Sequence, residues 1–177
     1  TARGAPPATD AWRARVLAPG ICTVTETRYG IMQLRTDVAG EGPALQWLGE
    51  WQEGQADLVR RSLTAGGTVV FAGAGAGSRI VALAQFAGAQ AHVLVVEPDD
   101  FARQLLRQNL AANGIGGVTV LRGRLDGDAP DDTVDGLRTQ QMSWLVSDAA
   151  VAPAPLIAGA SESLWRLRPS LSLGVGD

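Results

Sequence analysis

Lysine is absent from this chain of 177 residues, and cysteine and histidine occur once each. A single thiol, Cys22, excludes an internal disulfide and a zinc site built from several cysteines. Cys22 lies in an apolar, strand-like run, which favours a buried structural thiol over a nucleophile. His92 opens another such run, and we interpret it as a core or edge residue because catalysis needs a placed partner. A reducing, cytoplasmic setting is therefore expected.

Long hydrophobic runs are also missing. Apolar residues make up 46% of the chain, but no stretch approaches the roughly 20 apolar residues that a membrane-spanning helix requires. No basic segment followed by an apolar core is visible, so no secretory signal and no membrane partner are predicted. Because the chain begins at Thr1 rather than at methionine, we expect a fragment or domain of a longer protein.

An excess of positive charge is lacking as well. The formal net charge is −3, and residues of both signs are scattered along the sequence. Since a general nucleic-acid-binding surface needs a basic excess, we expect no nucleic acid partner. The basic residues are all arginines, which we attribute to genomic base composition because the chain is also rich in alanine and glycine.

Two regions precede the expected core. Residues 1–19 are rich in alanine, proline and arginine without a clean period, which predicts a linker or a loosely docked arm. Residues 20–177 are predicted to form one domain, with a hairpin and lead-in helix over 20–66 and a Rossmann-like core over 67–177. The elements expected before the core are two hairpin strands and two helical segments, at 21–26, 30–36, 44–48 and 53–64.

Apolar strands alternate with helices through the core region. The predicted strands lie at 68–73, 92–97, 118–123, 143–148 and 170–175. The helices between them are predicted at 78–87, 99–112 and 155–167. Strands that are apolar throughout, each followed by a helix, predict a parallel sheet covered on both faces. Right-handed crossovers then give a doubly wound α/β sheet with its ligand site at the carboxyl ends of the strands. Two further strands of the usual sheet are expected to be absent or to lie beyond this fragment.

A glycine-rich loop follows the first core strand, with Gly73, Gly75 and Gly77. Glycines let a ligand lie against the backbone, and the next helix offers unpaired N–H groups to a carboxylate or a pyrophosphate. Glu97 ends the second core strand, where an acid accepts hydrogen bonds from ribose hydroxyls. NAD and S-adenosylmethionine sites share this geometry. Ser78 stands where the dinucleotide pattern has its third glycine, which favours S-adenosylmethionine.

The order of the segments carries further information. From about Val24 to the C-terminus the chain shows RYGIMQLRTD, LGEWQEGQADLVRRSL, VVFAGAGAGS, VVEPDD, LLRQNLAANGI, VDGL, SWLVSD and LIAGASESLWRLRPSLSL. The most specific part combines Glu97-Pro98 with Asn109 and Asn113-Gly114. Together these segments resemble the FkbM family of S-adenosylmethionine-dependent methyltransferases, which implies a class I Rossmann-like fold and S-adenosylmethionine as cofactor.

That resemblance implies roles for several residues. Gly73, Gly75 and Gly77 would line the methionine part of the cofactor, and Glu97 would bind its ribose. Asp126, in the loop after the third core strand, would accept a hydrogen bond from the adenine amino group. The alternative for Asp126, weighted equally, is a solvated loop acid.

Two departures from the family pattern bear on the chemistry. The family has an acid at the end of the first core strand, where this chain has Phe71, and the change would remove an acceptor for the cofactor's amino group. After the fourth strand the family shows Lys-x-Asp-Val-Glu-Gly-x-Glu, whereas residues 146–153 read VSDAAVAP and keep only Asp148. Asp148 is thus the candidate catalytic base, with equal weight for a ligand of the cofactor amine or a cap of the next helix.

Two functions of different classes follow. One is a methyltransferase that moves a methyl group to a hydroxyl of a small molecule or glycan by in-line displacement. The other is an inactive methyltransferase-like domain that serves binding or scaffolding beside other domains of a larger protein. A nicotinamide-dependent dehydrogenase is a weaker third interpretation.

The pattern leaves the oligomeric state open. Packed or half-buried positions are expected for four tryptophans, rather than a docking surface: Trp47, Trp51, Trp144 and Trp165.

Overall fold

A computed structural model describes residues 22–35, 40–87 and 91–174 of the chain. The expected arm at 1–19 lies outside these residues. The domain begins with strands β1 (Cys22–Thr27) and β2 (Gly30–Arg35), which pair antiparallel with Thr27 opposite Gly30. Helices α1 (Glu41–Leu48) and α2 (Glu53–Ser62) follow. The predicted hairpin is confirmed, and α1 begins three residues before the helical segment expected there.

Five parallel strands form the central sheet. They are β3 (Thr68–Ala72), β4 (His92–Glu97), β5 (Val118–Arg122), β6 (Trp144–Ser147) and β7 (Ser170–Ser172). Their spatial order is β5-β4-β3-β6-β7, and every neighbouring pair runs parallel. From β3 the chain adds β4 and β5 on one side of the sheet, and it then crosses back to add β6 and β7 on the other side of β3. This confirms the doubly wound sheet, and the reversal places the crevice for a ligand at the carboxyl ends of β3 and β6.

Helices connect the strands. They are α3 (Ser78–Ala87), α4 (Asp100–Ala112), α5 (Pro153–Ala158) and α6 (Ser161–Leu167). Two single 3₁₀ turns, Pro130–Asp132 and Asp135–Leu137, precede β6. Asp99 caps α4 by accepting a hydrogen bond from the Ala102 N–H at 2.7 Å.

The single helix predicted over 155–167 is wrong. The chain breaks at Gly159, whose carbonyl accepts a hydrogen bond from the Asp135 N–H. The Asp135 carboxylate then accepts the N–H groups of Glu162 and Ser163 and so starts a second helix from a distant turn. Although burial acts to raise it, the pKa of Asp135 is lowered by the Ser163 hydroxyl and these backbone donors. Asp135 and Glu162 are 27 residues apart in sequence, so the periodicity of residues 155–167 could not predict this cap.

The two faces of the sheet carry separate apolar cores. Along β3, Val69 and Phe71 pack with α3, α4 and the hairpin, whereas Val70 and Ala72 pack on the opposite face with α5. This alternation is the period-2 geometry of a strand buried on both sides. Because of this alternation, the side chains of Phe71 and Ala72 at the end of β3 point to opposite faces of the sheet.

Two asparagines, one in α4 and one at its carboxyl end, hold the hairpin against the core. Asn109 accepts the Gln33 N–H at 2.7 Å and donates to the Gln33 carbonyl at 2.9 Å and the Ala76 carbonyl at 3.1 Å. Asn113 repeats the pattern on Ile31, accepting its N–H at 3.0 Å and donating to its carbonyl at 2.8 Å. The two carboxamides satisfy backbone groups of β2 as a neighbouring strand would. Asn109 thereby ties the hairpin to the glycine loop.

Several burial expectations need correction. Trp47 and Trp165 are 85% and 79% exposed, so neither packs into the core, whereas Trp144 is buried and Trp51 half-buried. Cys22 is half-buried rather than fully buried. Local sequence did not distinguish these positions because burial there depends on which helix face meets the sheet. Among the described residues, no helix has both the length and the apolar character needed to cross a bilayer.

Replacing Asn109 with alanine should destabilise the domain by about 3 kcal/mol, because one buried carboxamide satisfies three backbone groups. Urea denaturation at constant m-value measures this free energy of unfolding. The exposed Gln104 on the same helix is the matched control, and Gln104→Ala should change stability by less than about 0.5 kcal/mol. Equal stabilities of the two variants would show that the Asn109 hydrogen bonds do not hold the hairpin against the core.

Candidate functional site

A cleft of about 810 Å³ opens at the carboxyl ends of β3, β4 and β6. That volume lies within the usual range for small-molecule sites. Its wall brings together residues far apart in sequence, among them Gly73, Gly75, Glu97, Asp126 and Asp148. These five residues were singled out from sequence, and the topology places them around one crevice.

The glycine loop has left-handed backbone conformations at all three predicted glycines, with φ of +84° at Gly73, +54° at Gly75 and +90° at Gly77. A Cβ at Gly77 would lie 2.6 Å from Leu106 Cδ1, so this glycine serves packing between the loop and α4. Gly73 and Gly75 line the cleft, whereas Gly77 is turned towards α4. The geometry therefore separates Gly77 from the two glycines available to a ligand.

Glu97 ends β4 with its carboxylate turned inward, and the residue is 7% exposed. One oxygen accepts the Ala74 N–H of the glycine loop at 2.6 Å, and the other accepts the Asp99 N–H at 2.8 Å. A carboxylate has about four acceptor positions, so two remain for hydroxyls in the cleft. The acid is thus held at the crevice by backbone donors rather than by solvent.

Asp126 lies at another part of the wall. Its side chain is 11% exposed and accepts from Arg124 Nε at 3.0 Å and from the Ala152 N–H at 3.3 Å. Burial acts to raise the pKa of Asp126, but these donors outweigh it and the pKa is lowered from its ordinary value. Asp126 is consequently an ionised acceptor at neutral pH.

Asp148 follows β6 and is tied on both oxygens. Oδ2 accepts from Arg79 Nη2 at 2.6 Å, and Oδ1 accepts the Ala150 N–H at 3.1 Å. Arg79 is itself buried and also donates to Gln55 Oε1 and to the Ser147 carbonyl. The helix-capping alternative for Asp148 is wrong, because α5 begins after Ala152 and has no side-chain cap. Arg79 also lines the cleft, and its ion pair with Asp148 could not be predicted from its position in a helix.

Sequence analysis missed one acid of the site, Glu41, in the first turn of α1. One carboxylate oxygen accepts the Ala76 N–H at 2.7 Å, and the other accepts the Ser78 N–H at 3.0 Å and the Ser78 hydroxyl. Glu41 therefore occupies the amino end of α3, where a helix favours negative charge. Glu41 lies in a tract expected to be mostly loop, and its partner Ala76 is 35 residues away, so no local pattern could predict this contact.

Phe71 was expected to stand where the family places an acid that binds the cofactor. The structure places it instead in the apolar core behind β3, with 2% of its surface exposed. Ala72, its neighbour, lines the cleft. The departure at Phe71 therefore leaves the cleft wall unchanged, because the strand alternation turns this side chain away from the ligand side. Within the described residues, no group of three or more His, Cys, Asp and Glu side chains is arranged to hold a metal ion.

Neither a known family profile nor a curated protein sequence matches this chain. Solved structures do match its fold. The structure of M. jannaschii TYW2 in complex with AdoMet has a TM-score of 0.57 at 12% identity, covering 85% of this chain and 60% of that one. A putative rRNA methylase from Clostridium thermocellum has a TM-score of 0.54 at 19% identity, covering 65% of this chain and 62% of that one.

An rRNA methylase from Streptococcus thermophilus has a TM-score of 0.50 at 16% identity, covering 64% of this chain and 63% of that one. The chain thus spans about three fifths of the length of these three structures. The fold is the Rossmann-like fold of class I methyltransferases, and the comparisons do not single out the FkbM family. Because two of these proteins are called rRNA methylases, the expected exclusion of nucleic acid gains no support.

Placing an acid at position 71 should unfold the domain rather than improve the cleft. The Phe71→Asp change buries an unpaired carboxylate in the apolar core, and a loss of more than about 4 kcal/mol is expected. Phe71→Leu, which keeps an apolar side chain there, should cost less than about 2 kcal/mol. Thermal unfolding of both variants measures the difference. A folded Phe71→Asp variant with tighter cofactor binding would show that position 71 faces the cleft after all.

Proposed function

We propose that this domain binds S-adenosylmethionine in the cleft and belongs to an FkbM-like methyltransferase that modifies a hydroxyl of a small molecule or glycan. The observation that carries the proposal is the Glu97 carboxylate, which lines the cleft beside the glycine loop, accepts the Ala74 N–H of that loop and keeps further acceptor positions. The glycine loop lies against this crevice through Gly73 and Gly75.

The adenosyl half of the cofactor fits the residues present. Glu97 would accept both ribose hydroxyls, and Asp126 would accept the adenine amino group as an ionised carboxylate. The backbone of Gly73 and Gly75 would pass beneath the sulfur and the amino-acid tail. When bound, S-adenosylmethionine supplies a methyl group on a positively charged sulfur.

The acceptor side of the cleft offers orientation more than proton transfer. Asp148 is held by Arg79 and by the Ala150 N–H, and Ala149 and Ala150 line the wall beside it. A hydroxyl acceptor could donate a hydrogen bond to Asp148, which would fix its oxygen for in-line attack. The neighbouring acid, Glu41, already accepts backbone N–H groups on both oxygens, so it gives little help in removing the hydroxyl proton.

The second candidate function, an inactive domain that binds the cofactor as part of a larger protein, has a specific observation in its favour. Both Asp148 oxygens already accept hydrogen bonds, one of them in an ion pair with the buried Arg79. Cofactor binding without methyl transfer to any hydroxyl acceptor would select this function over the first.

Glu97→Gln should weaken binding of S-adenosylmethionine by at least about tenfold, because the variant loses an anionic acceptor for ribose and its NH₂ group opposes one of the two backbone N–H donors, Ala74 or Asp99. Isothermal titration calorimetry measures the affinity, and adenosine serves as a second ligand that contains only the ribose and the base. Glu162→Gln, on an exposed side chain of α6, is the matched control and should bind normally. Unchanged affinity in Glu97→Gln would remove Glu97 from the cofactor site.

A further inference from the structure

Glu41 occupies the group of backbone donors that an anionic ligand would otherwise use. The N–H groups at the amino end of α3 point along a helix dipole that favours negative charge, which makes such a terminus a common place for a ligand carboxylate. Here the Ala76 and Ser78 N–H groups both donate to the Glu41 carboxylate, at 2.7 and 3.0 Å. A carboxylate of this chain therefore sits where the carboxylate of an amino-acid tail would bind.

The position of Glu41 is fixed by close packing behind it. A Cβ at the neighbouring Gly42 would lie 2.4 Å from the Arg35 carbonyl oxygen, so α1 begins in direct contact with the end of β2. The same strand is held by Asn109, which also bonds the Ala76 carbonyl of the glycine loop. Glu41 thus reaches the loop from a unit that is already tied to it, which disfavours its displacement by a ligand.

The carboxylates of Glu41 and Asp148 both lie close to Gly75. A Cβ at Gly75 would lie 2.7 Å from Glu41 Oε2 and 3.3 Å from Asp148 Oδ2. Arg79, the buried cation nearby, already pairs with Asp148. Two carboxylates therefore lie close to Gly75, and Arg79 is paired with only one of them, so this position repels a ligand carboxylate and suits an ammonium group.

We infer that Glu41 is a specificity-determining residue that takes the place of the ligand's own α-carboxylate at the glycine loop. The inference rests on the proposed function, since it assumes an adenosyl sulfonium ligand in the cleft. It assigns to this cleft a tolerance for adenosyl sulfonium compounds whose tail ends in an amine and lacks the carboxylate. The α-carboxylate of S-adenosylmethionine would then add little to its affinity.

The test compares two ligands on the unmodified chain. Calorimetry with S-adenosylmethionine and with its decarboxylated form, S-adenosyl-3-methylthiopropylamine, should give affinities within about threefold of each other or tighter for the amine. Tighter binding of S-adenosylmethionine by about tenfold or more would overturn the inference and leave the proposed function standing. If neither ligand binds, the proposed function itself fails.

Two variants of Glu41 then separate its role from a structural one. Glu41→Ala frees the loop N–H groups, so S-adenosylmethionine should gain about tenfold in affinity relative to the decarboxylated ligand. Glu41→Gln keeps the volume but removes the charge, and it should bind the amine-ended ligand several-fold more weakly. Glu50→Gln, which removes a carboxylate paired only with Arg28 on the surface, should leave the ligand ratio unchanged. An unchanged ratio in both Glu41 variants would overturn the inference.

Discussion

The backbone of the glycine loop is the constraint on which the rest of this site depends. Three of its N–H groups, at Ala74, Ala76 and Ser78, donate to side-chain carboxylates rather than to other backbone groups. Buried donors left unpaired cost about 1–3 kcal/mol each, so a loop of this shape needs such partners. Glu97 reaches it from β4 and Glu41 from α1, and the loop is thereby held from two sides.

The contacts that hold the glycine loop also connect the hairpin and the two helices after it to the cleft. The lead-in strands and helices could have been an independent appendage, but Asn109 bonds both β2 and the loop, and Glu41 bonds the loop from α1. A similar bridge spans the acceptor side, where Arg79 links α3 to Asp148 and to Gln55 of α2. The cleft is therefore built from both the Rossmann-like core and the hairpin and helices that precede it.

Much of the fold could be predicted from the sequence because it depends on short-range pattern. The strands that form the sheet are apolar runs bounded by turn residues, and both His92–Glu97 and Ser78–Ala87 have the predicted bounds. Residues at the carboxyl ends of the strands, such as Glu97 and Asp148, were placed at the cleft because parallel topology brings those ends together. The period of the strands, combined with the topology, was enough for these features.

The features that sequence analysis missed depend on contacts between distant segments. Glu41 lies in a tract without clear periodicity, and its partners are 35 or more residues away. The break at Gly159 follows from a cap supplied by Asp135. Phe71 was assigned to the cleft by its place in a motif, whereas the side to which a strand residue points changes with every position. In each case the deciding partner comes from another element of the fold.

A crystal structure of the chain grown with S-adenosylhomocysteine would test the central claim most directly, because that molecule retains the adenosyl group and the tail. The account predicts electron density in the cleft, with the ribose hydroxyls within hydrogen-bond distance of Glu97 and the tail passing over Gly73 and Gly75. It also predicts that Glu41 keeps its hydrogen bonds to the loop. Ligand bound elsewhere, or with its ribose away from Glu97, would contradict the account.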